Sequence, residues 1–293
     1  MTTRVAVLGA GNMAGAMVGT LRRAGCEVAV WNRTPARAET VAEVHGATPA
    51  PTAEAAIDGA DVVLSSLADD AAVMATYLGE GGAAAACGPR QVVLEMSTIA
   101  PDTVRRVGEA VAAHGASFLD APVSGSVPTV EKGELTIMVG GDAEGLERAR
   151  PVLDALAAKV LHVGALGAGA TVKLAVNALV HAIDVGLSEA LVLAEKAGVD
   201  RAAAYDVFAA GAAAAPFVLY KRPAFEHPDE APLTFTLDLM AKDLDLILSL
   251  AREVGAPMAQ AERNRDLVER ALAAGFSGRD MSAVAEFLRG AAG

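Results

Sequence analysis

An α/β domain on a largely parallel sheet, followed by an all-α domain, is the fold class this sequence predicts, with the division placed at residues 1–163 and 164–293. Two observations predict it. Through the first half, apolar runs of strand length alternate with Ala/Glu/Arg-rich helical stretches joined by short Gly, Pro and Asp connections, the pattern of βαβ units. From Gly167 onward no strand-like run appears, and helix-period stretches fill the chain. Length and composition agree: 293 residues suffice for two ordinary domains, and 53% hydrophobic with 20% charged residues describe a chain that folds. Only 4% are aromatic, so the core has to be built from Ala, Val and Leu.

The first strand is expected over Arg4–Leu8 and the first helix over Asn12–Ala24. Glu27–Trp31 reads as a second strand. Pro35–Val44 reads as a helix, since proline in a first turn gives up an N–H that has no partner there anyway. A short strand around Thr48, a helix over Ala53–Ile57, and strands over Asp61–Ser65 and Gln91–Glu95 follow. Thr103–Ala113 is expected to be helical and Ser117–Asp120 extended. Leu135–Val139 forms a further strand after the turn residues Lys132 and Gly133. The helix Gly145–Ala157 and the strand Val160–Val163 close the series. In the second domain Thr171–Ala197 reads as one long apolar helix ended by Gly198. More helices are expected over Arg201–Ala209, Leu237–Val254, Met258–Ala273 and Ser282–Arg289, and the stretch holding Pro223, His227, Pro228 and Pro232 reads as a surface loop.

A formal net charge of −12 and a pI near 4.9 argue against nucleic acid and anionic lipid as partners, because no Lys/Arg run collects the basic residues into one patch. Cys26 and Cys87 have neither zinc nor CxxC spacing, so both are expected as core thiols in a reducing compartment, and no metal site is expected. Mean hydropathy is +0.37, but the apolar runs are Ala-rich and broken by Gly, Asp, Glu or Lys, short of a clean spanning helix. No leader precedes the first strand, and the expected setting is cytoplasmic and without membrane partners.

Between the first strand and the first helix lies Gly9-Ala10-Gly11-Asn12-Met13-Ala14, a G-x-G-x-x-G/A arrangement with Ala14 in the third small position. The first Gly permits the tight turn, the second lets backbone approach a pyrophosphate, and the third small residue lets helix and strand pack closely. The helix N-terminus then offers N–H groups and a positive dipole end to phosphate. At the end of the second strand, where an NAD site usually carries an acid for the ribose hydroxyls, this chain reads Trp31-Asn32-Arg33-Thr34. Arg33 can grip a 2′-phosphate bidentately, and Asn32 and Thr34 can add hydrogen bonds. Taken alone, Arg33 reads equally well as an exposed loop cation; with no acid beside it, NADP(H) is the expected cofactor.

Gly167-Ala168-Gly169-Ala170-Thr171-Val172-Lys173 leads into the long helix, where Lys173 and Asn177 share a face four residues apart. Their neighbours are almost all apolar. The helix is therefore expected to be buried, and a buried ammonium near a helix N-terminus gives up its proton readily. The alternative is a lysine that snorkels to solvent. Ser97-Thr98 and the run Asp120-Ala121-Pro122-Val123-Ser124-Gly125-Ser126 each follow a strand, at the edge where ligands meet such sheets. Gly125 leaves room for a small carboxylate against the backbone. Lys242-Asp243-Leu244, on a helical stretch, reads by itself as a solvated face.

In order and spacing these stretches resemble the β-hydroxyacid dehydrogenase family, of the 3-hydroxyisobutyrate dehydrogenase type, over nearly the whole chain. The resemblance rests on the Gly9–Ala14 loop, Ser97-Thr98, Asp120–Gly125, Gly167 and Gly169 with Lys173 and Asn177, and Lys242-Asp243-Leu244. Asn32-Arg33-Thr34, Leu67-Ala68-Asp69 and Met240 with Lys242-Asp243 look closest to its glyoxylate and succinic-semialdehyde reductase branch. The resemblance implies a Rossmann-like NADP-binding domain, then a helical domain that binds substrate and pairs two copies as a homodimer. It implies that Lys173 protonates a carbonyl oxygen as hydride arrives, that Asn177 orients the substrate, and that Ser124 and Gly125 hold its carboxylate. Thr98 would serve both substrate and nicotinamide ribose, Lys242 the ribose, and Leu67 and Ala68 the adenosine side. Gly9, Gly11, Asn12 and Met13 would cradle the dinucleotide. Val176 and Ser126 depart from the family's usual Asn and Gly. The expected reaction interconverts a small carboxylate-bearing aldehyde or keto acid and its hydroxy acid. Two other readings are an imine reductase, against which Lys173 argues, and a dinucleotide-binding scaffold without catalysis.

Overall fold

A computed structural model describes residues 2–290. The chain divides into two compact units, one ending at Lys173 and the other beginning at Leu174. In the first unit β1 (Arg4–Leu8) lies between β2 (Glu27–Trp31) and β4 (Val62–Ser65). Outside β2 runs β3 (Thr48–Pro49), and beyond β4 run β5 (Val92–Glu95) and β6 (Ser117–Asp120), all parallel. The chain thus winds one way from β1 and then the other. That leaves a crevice at the carboxyl ends of β1 and β4, the switch point where doubly wound sheets take ligands. β7 (Val123–Ser124) and β6 both pair antiparallel with β8 (Leu135–Gly140), and β9 (Ala157–Gly164) runs parallel beside β8.

Period-two alternation sorts the side chains to two faces. Val5, Val7, Val62, Leu64 and Leu94 pack with buried residues of α1 (Asn12–Arg23) and α8 (Ala143–Leu156). Ala6, Leu8, Val63 and Val93 face α3 (Ala53–Ile57), α4 (Asp70–Leu78) and α6 (Pro101–Ala112). A sheet covered on both faces explains why its central strands read as unbroken apolar runs. The fold class is the expected one.

Several elements were not legible. The helices α4, α5 (Ala83–Ala86) and α7 (Val127–Glu131) and the two-residue β7 were not predicted. Ala157 is extended, at φ −135° and ψ 141°, and begins β9 instead of ending α8, because the ladder to β8 starts there.

The second unit is helical. After α9 (Ala168–Lys196) come α10 (Arg201–Ala210), α11 (Pro216–Glu226), α12 (Leu237–Val254), α13 (Ala259–Ala271) and α14 (Val284–Gly290). Among the described residues its strand-like pairing is one isolated bridge, Thr236 to Asp280. α12 has the predicted bounds, and its ends show why: Thr236 Oγ1 accepts the Leu239 N–H at 3.2 Å, and Gly255 closes the helix at φ +70°.

Two expectations fail here. Pro223 lies inside helix α11, not in a surface loop. Phe217, Val218, Lys221, Ala224 and Phe225 are buried, a one-faced stripe whose burial outweighs the hydrogen bond that proline removes. And α9 is not buried all round. Its inward stripe carries Leu174, Asn177, His181, Asp184, Ser188 and Leu191, while Ala175, Leu179, Gly186 and Leu193 face outward, with Leu179 64% and Leu193 73% exposed.

Candidate active site

The glycine loop sits at the switch point. Gly9 has φ +119°, and a Cβ there would collide with the carbonyl oxygen of Ser66, so glycine is required twice over. Gly11 is the N-cap of α1 and provides no side-chain cap; a Cβ on it would meet nothing within 4 Å. The first N–H groups of α1, beginning at exposed Asn12 and half-buried Met13, therefore open on free space. That is an anion cradle of the kind a pyrophosphate fills, and these residues fit a dinucleotide. Ala14 is 1% exposed, the close packing for which the third small residue was read.

Asn32, at the end of β2, turns toward this loop: its Oδ1 accepts the Ala10 N–H at 3.2 Å, and its Nδ2 donates to the Thr34 carbonyl at 3.0 Å. It shapes the glycine loop from the side. Arg33 and Thr34 are exposed on the turn into α2 (Pro35–His45), with no acid beside them.

At the ends of β4 and β5 lies a set of side chains that sequence reasoning missed. Glu95 is fully buried and accepts the Ser97 N–H at 2.8 Å and the Ser65 hydroxyl at 2.5 Å. Ser65 Oγ is 2.7 Å from the hydroxyl of buried Tyr77. Burial pushes the Glu95 carboxyl up to about 7, against the hydrogen bonds from Ser65 and Ser97 that pull it down. Ser97 Oγ accepts the Leu67 N–H at 2.8 Å, and Asp70 Oδ1 the Ala100 N–H at 2.9 Å, so the two loops are tied twice. Leu67 and Thr98 are half-buried at this edge and Ala68 is exposed.

β6 ends in Asp120, whose carboxylate accepts the N–H groups of Gly167 at 2.8 Å and Ala170 at 2.7 Å. Burial raises its pKa, opposed by those backbone bonds. Asp120 thereby seats the start of α9. A Cβ on Gly140 would strike its Oδ1, and one on Gly169 would lie 2.9 Å from its Oδ2, which is why small residues surround it. Ser124, half-buried, ends β7 opposite Thr136, and Gly125 follows at φ +146°, exposed. Lys173 lies one turn into α9 and is half-buried, not enclosed as its apolar neighbours suggested.

In the second unit Asn177 is buried, and its Nδ2 donates to Asp243 Oδ2 at 2.6 Å. Lys242 Nζ is 3.0 Å from Asp243 Oδ1, and His181 Nε2 lies 3.8 Å from its Oδ2 with its ring beside Phe235. Burial pushes the Asp243 carboxyl up, but His181 and Lys242 together outweigh it and hold it below its usual range. Lys242-Asp243 is thus no solvated face: Asp243 is 1% exposed. What the stretch lacked in sequence was any sign of its partner 66 residues away.

Comparison with known proteins agrees with this geometry. A family profile described as "NAD binding domain of 6-phosphogluconate dehydrogenase" matches residues 4–164, and one described as "NAD-binding of NADP-dependent 3-hydroxyisobutyrate dehydrogenase" matches residues 167–288. The chain is 36% identical to a 3-hydroxyisobutyrate dehydrogenase of Pseudomonas aeruginosa, over 98% of this chain and 99% of that one. It is 31% identical to glyoxylate/succinic semialdehyde reductase 1 of Arabidopsis thaliana, over 97% and 98%. Among solved structures, 3-hydroxyisobutyrate dehydrogenase of Mycobacterium tuberculosis with L-serine superposes at a TM-score of 0.86 with 33% identity, covering 99% of this chain and 100% of that one. With a dinucleotide cradle at the switch point of a Rossmann-like domain and a helical domain after it, the chain belongs to the β-hydroxyacid dehydrogenase family of nicotinamide-dependent enzymes.

Proposed function

We propose that the protein is an NADP(H)-dependent oxidoreductase that interconverts a small carboxylate-bearing aldehyde or keto acid and its hydroxy acid. The observation that carries the reading is the seating of α9 by Asp120: it fixes the helix start one turn before Lys173, with Asn177 a turn further on the same face. The bound dinucleotide supplies or takes up a hydride. In reduction the Lys173 ammonium gives its proton to the carbonyl oxygen, and in oxidation the neutral amine takes it back from the hydroxyl. Asn177, its amide oriented by Asp243, aligns the substrate. Ser124 and the solvent-exposed backbone of Gly125 receive the carboxylate, and Thr98 lies beside the reacting groups. Gly9, Gly11, Asn12 and Met13 cradle the pyrophosphate, with Leu67 and Ala68 toward the adenosine. Arg33, helped by Thr34, contacts a 2′-phosphate, and the absence of an acid at the end of β2 supports NADP over NAD.

The exposed Leu179 and Leu193 of α9 support a homodimer paired through the helical domain, and the buried, unbridged Cys26 and Cys87 support a reducing, cytoplasmic setting. The test is oxidation of NADPH and of NADH, followed by absorbance, with glyoxylate, succinic semialdehyde, methylmalonate semialdehyde and a cyclic imine. Carboxylate-dependent oxidation of NADPH is expected, and Lys173→Ala should lower turnover about 10²- to 10⁴-fold with NADPH binding retained. Near-normal turnover in Lys173→Ala removes the proton-donor role, and turnover of the imine alone makes the protein an imine reductase.

A further inference from the structure

Glu95 touches nothing at the open edge of the sheet, yet a chain of hydrogen bonds leads from it to the glycine loop. Its carboxylate takes the Ser65 hydroxyl at 2.5 Å and the Ser97 N–H at 2.8 Å. Ser97, held through its N–H, offers a lone pair of its Oγ to the Leu67 N–H at 2.8 Å. On the far side, Tyr77 is 2.7 Å from Ser65 Oγ, so its hydroxyl can donate to Ser65 while Ser65 donates to Glu95. The Ser65 hydroxyl and the Ser97 N–H thus converge on one acceptor, the carboxylate. The anchored segment is the wall on which the dinucleotide loop rests: the Ser66 carbonyl would collide with a Cβ on Gly9, and Leu67 Cδ2 would lie 3.3 Å from it.

We propose that Glu95 is a positioning residue for dinucleotide binding: by holding the Ser97 N–H it places the Ser97 hydroxyl oxygen that takes the Leu67 N–H, and with it the wall behind the Gly9 turn. The proposal rests on the dinucleotide reading of this edge. Glu95 acts entirely through Ser97, so losing either residue has the same consequence for the loop.

The experiment measures dissociation constants for NADPH and NADH by direct titration, together with the KM and kcat split, for wild type, Ser97→Ala, Glu95→Leu and Glu95→Gln. Ser97→Ala and Glu95→Leu should each weaken the preferred dinucleotide about tenfold, the loss of one well-placed hydrogen bond. Its KM should rise likewise, with kcat at saturating dinucleotide falling less than about threefold. Glu95→Gln can turn its amide oxygen to Ser97 and its amide N–H to Ser65, and should restore binding to within about threefold of wild type. The double variant Ser97→Ala/Glu95→Leu should bind no worse than either single one, since both act on one link. Should Glu95→Leu fail to fold, Ser97→Ala and Glu95→Gln decide alone. Ser97→Ala binding within about twofold of wild type overturns the proposal, as does fully additive loss in the double variant. Failure of wild type to bind either dinucleotide overturns instead the reading on which it rests.

Discussion

Arg33 is an exposed cation on the turn that leaves β2, and its value to the protein depends on what it meets there. Against solvent it contributes little. Against a 2′-phosphate it can make a bidentate, charge-assisted contact of about 1.5–3 kcal/mol. Arg33→Ala is therefore expected to raise the KM for NADPH about tenfold or more and that for NADH less than about twofold; equal effects on the two would show that Arg33 does not meet the phosphate. The glycines of this site were readable because backbone geometry demands them: only glycine tolerates φ +119° at Gly9 against the Ser66 carbonyl. Asn32 was found but not its task, since its carbonyl oxygen serves Ala10 within the loop. Glu95, Asp120 and Asp243 were read as strand end, motif letter and surface charge. What makes them matter is hydrogen bonds to residues up to 66 positions away, and no local pattern encodes those.

Element by element, the strands and long helices were legible wherever one rule dominated: alternation or a double-sided apolar run for β1, β2 and β4 to β6, and an N-cap threonine with a terminal glycine for α12. Short elements such as α5, and α11 with its internal proline, were not, because packing decides them against local preference. α9 shows the same limit in another form. Its composition announced an apolar helix but not which side faces in, and the side that faces out carries Ala175, Leu179, Gly186 and Leu193 with only Thr171 and Glu189 polar before its last turn. If that stripe is covered by a second copy, wild type will sediment as a dimer, and Leu179→Asp with Leu193→Asp will sediment at half the mass with its helical circular dichroism kept. A monomeric wild type at micromolar concentration would remove the homodimer from the proposal.

For the molecule as a whole, each compact unit hides a carboxyl raised to about neutrality by burial, and the first unit adds Asp120, raised as well. Burial pushes Glu95 in the first unit and Asp184 in the second up to about 7, the latter opposed by the Lys221 charge and reinforced by Asp280. A raised acid contributes stability that is full below its unfolded pKa, near 4, and is lost as pH rises through about 7. Asp243 and Asp280 are held below their usual range despite burial, by His181 with Lys242 and by Lys221 respectively. Their contribution is present above about 4 and lost as pH falls. The two trends cross near pH 4, so the melting temperature should peak there and decline toward pH 7. Asp184→Asn should flatten that decline, gaining on the order of 1–3 kcal/mol over wild type at pH 8 and little at pH 4. A wild-type melting temperature that climbs steadily from pH 5 to 8 would refute this balance. Asp184 bears on the newborn chain as well. Ala168–Lys196 has the length and hydropathy of a bilayer-crossing segment. A carboxylate near its middle adds about 2.5–3.5 kcal/mol to the cost of entering lipid, more than several leucines return. The side chain that the folded protein must hide at some expense is thus one that also raises the cost of placing this helix in lipid.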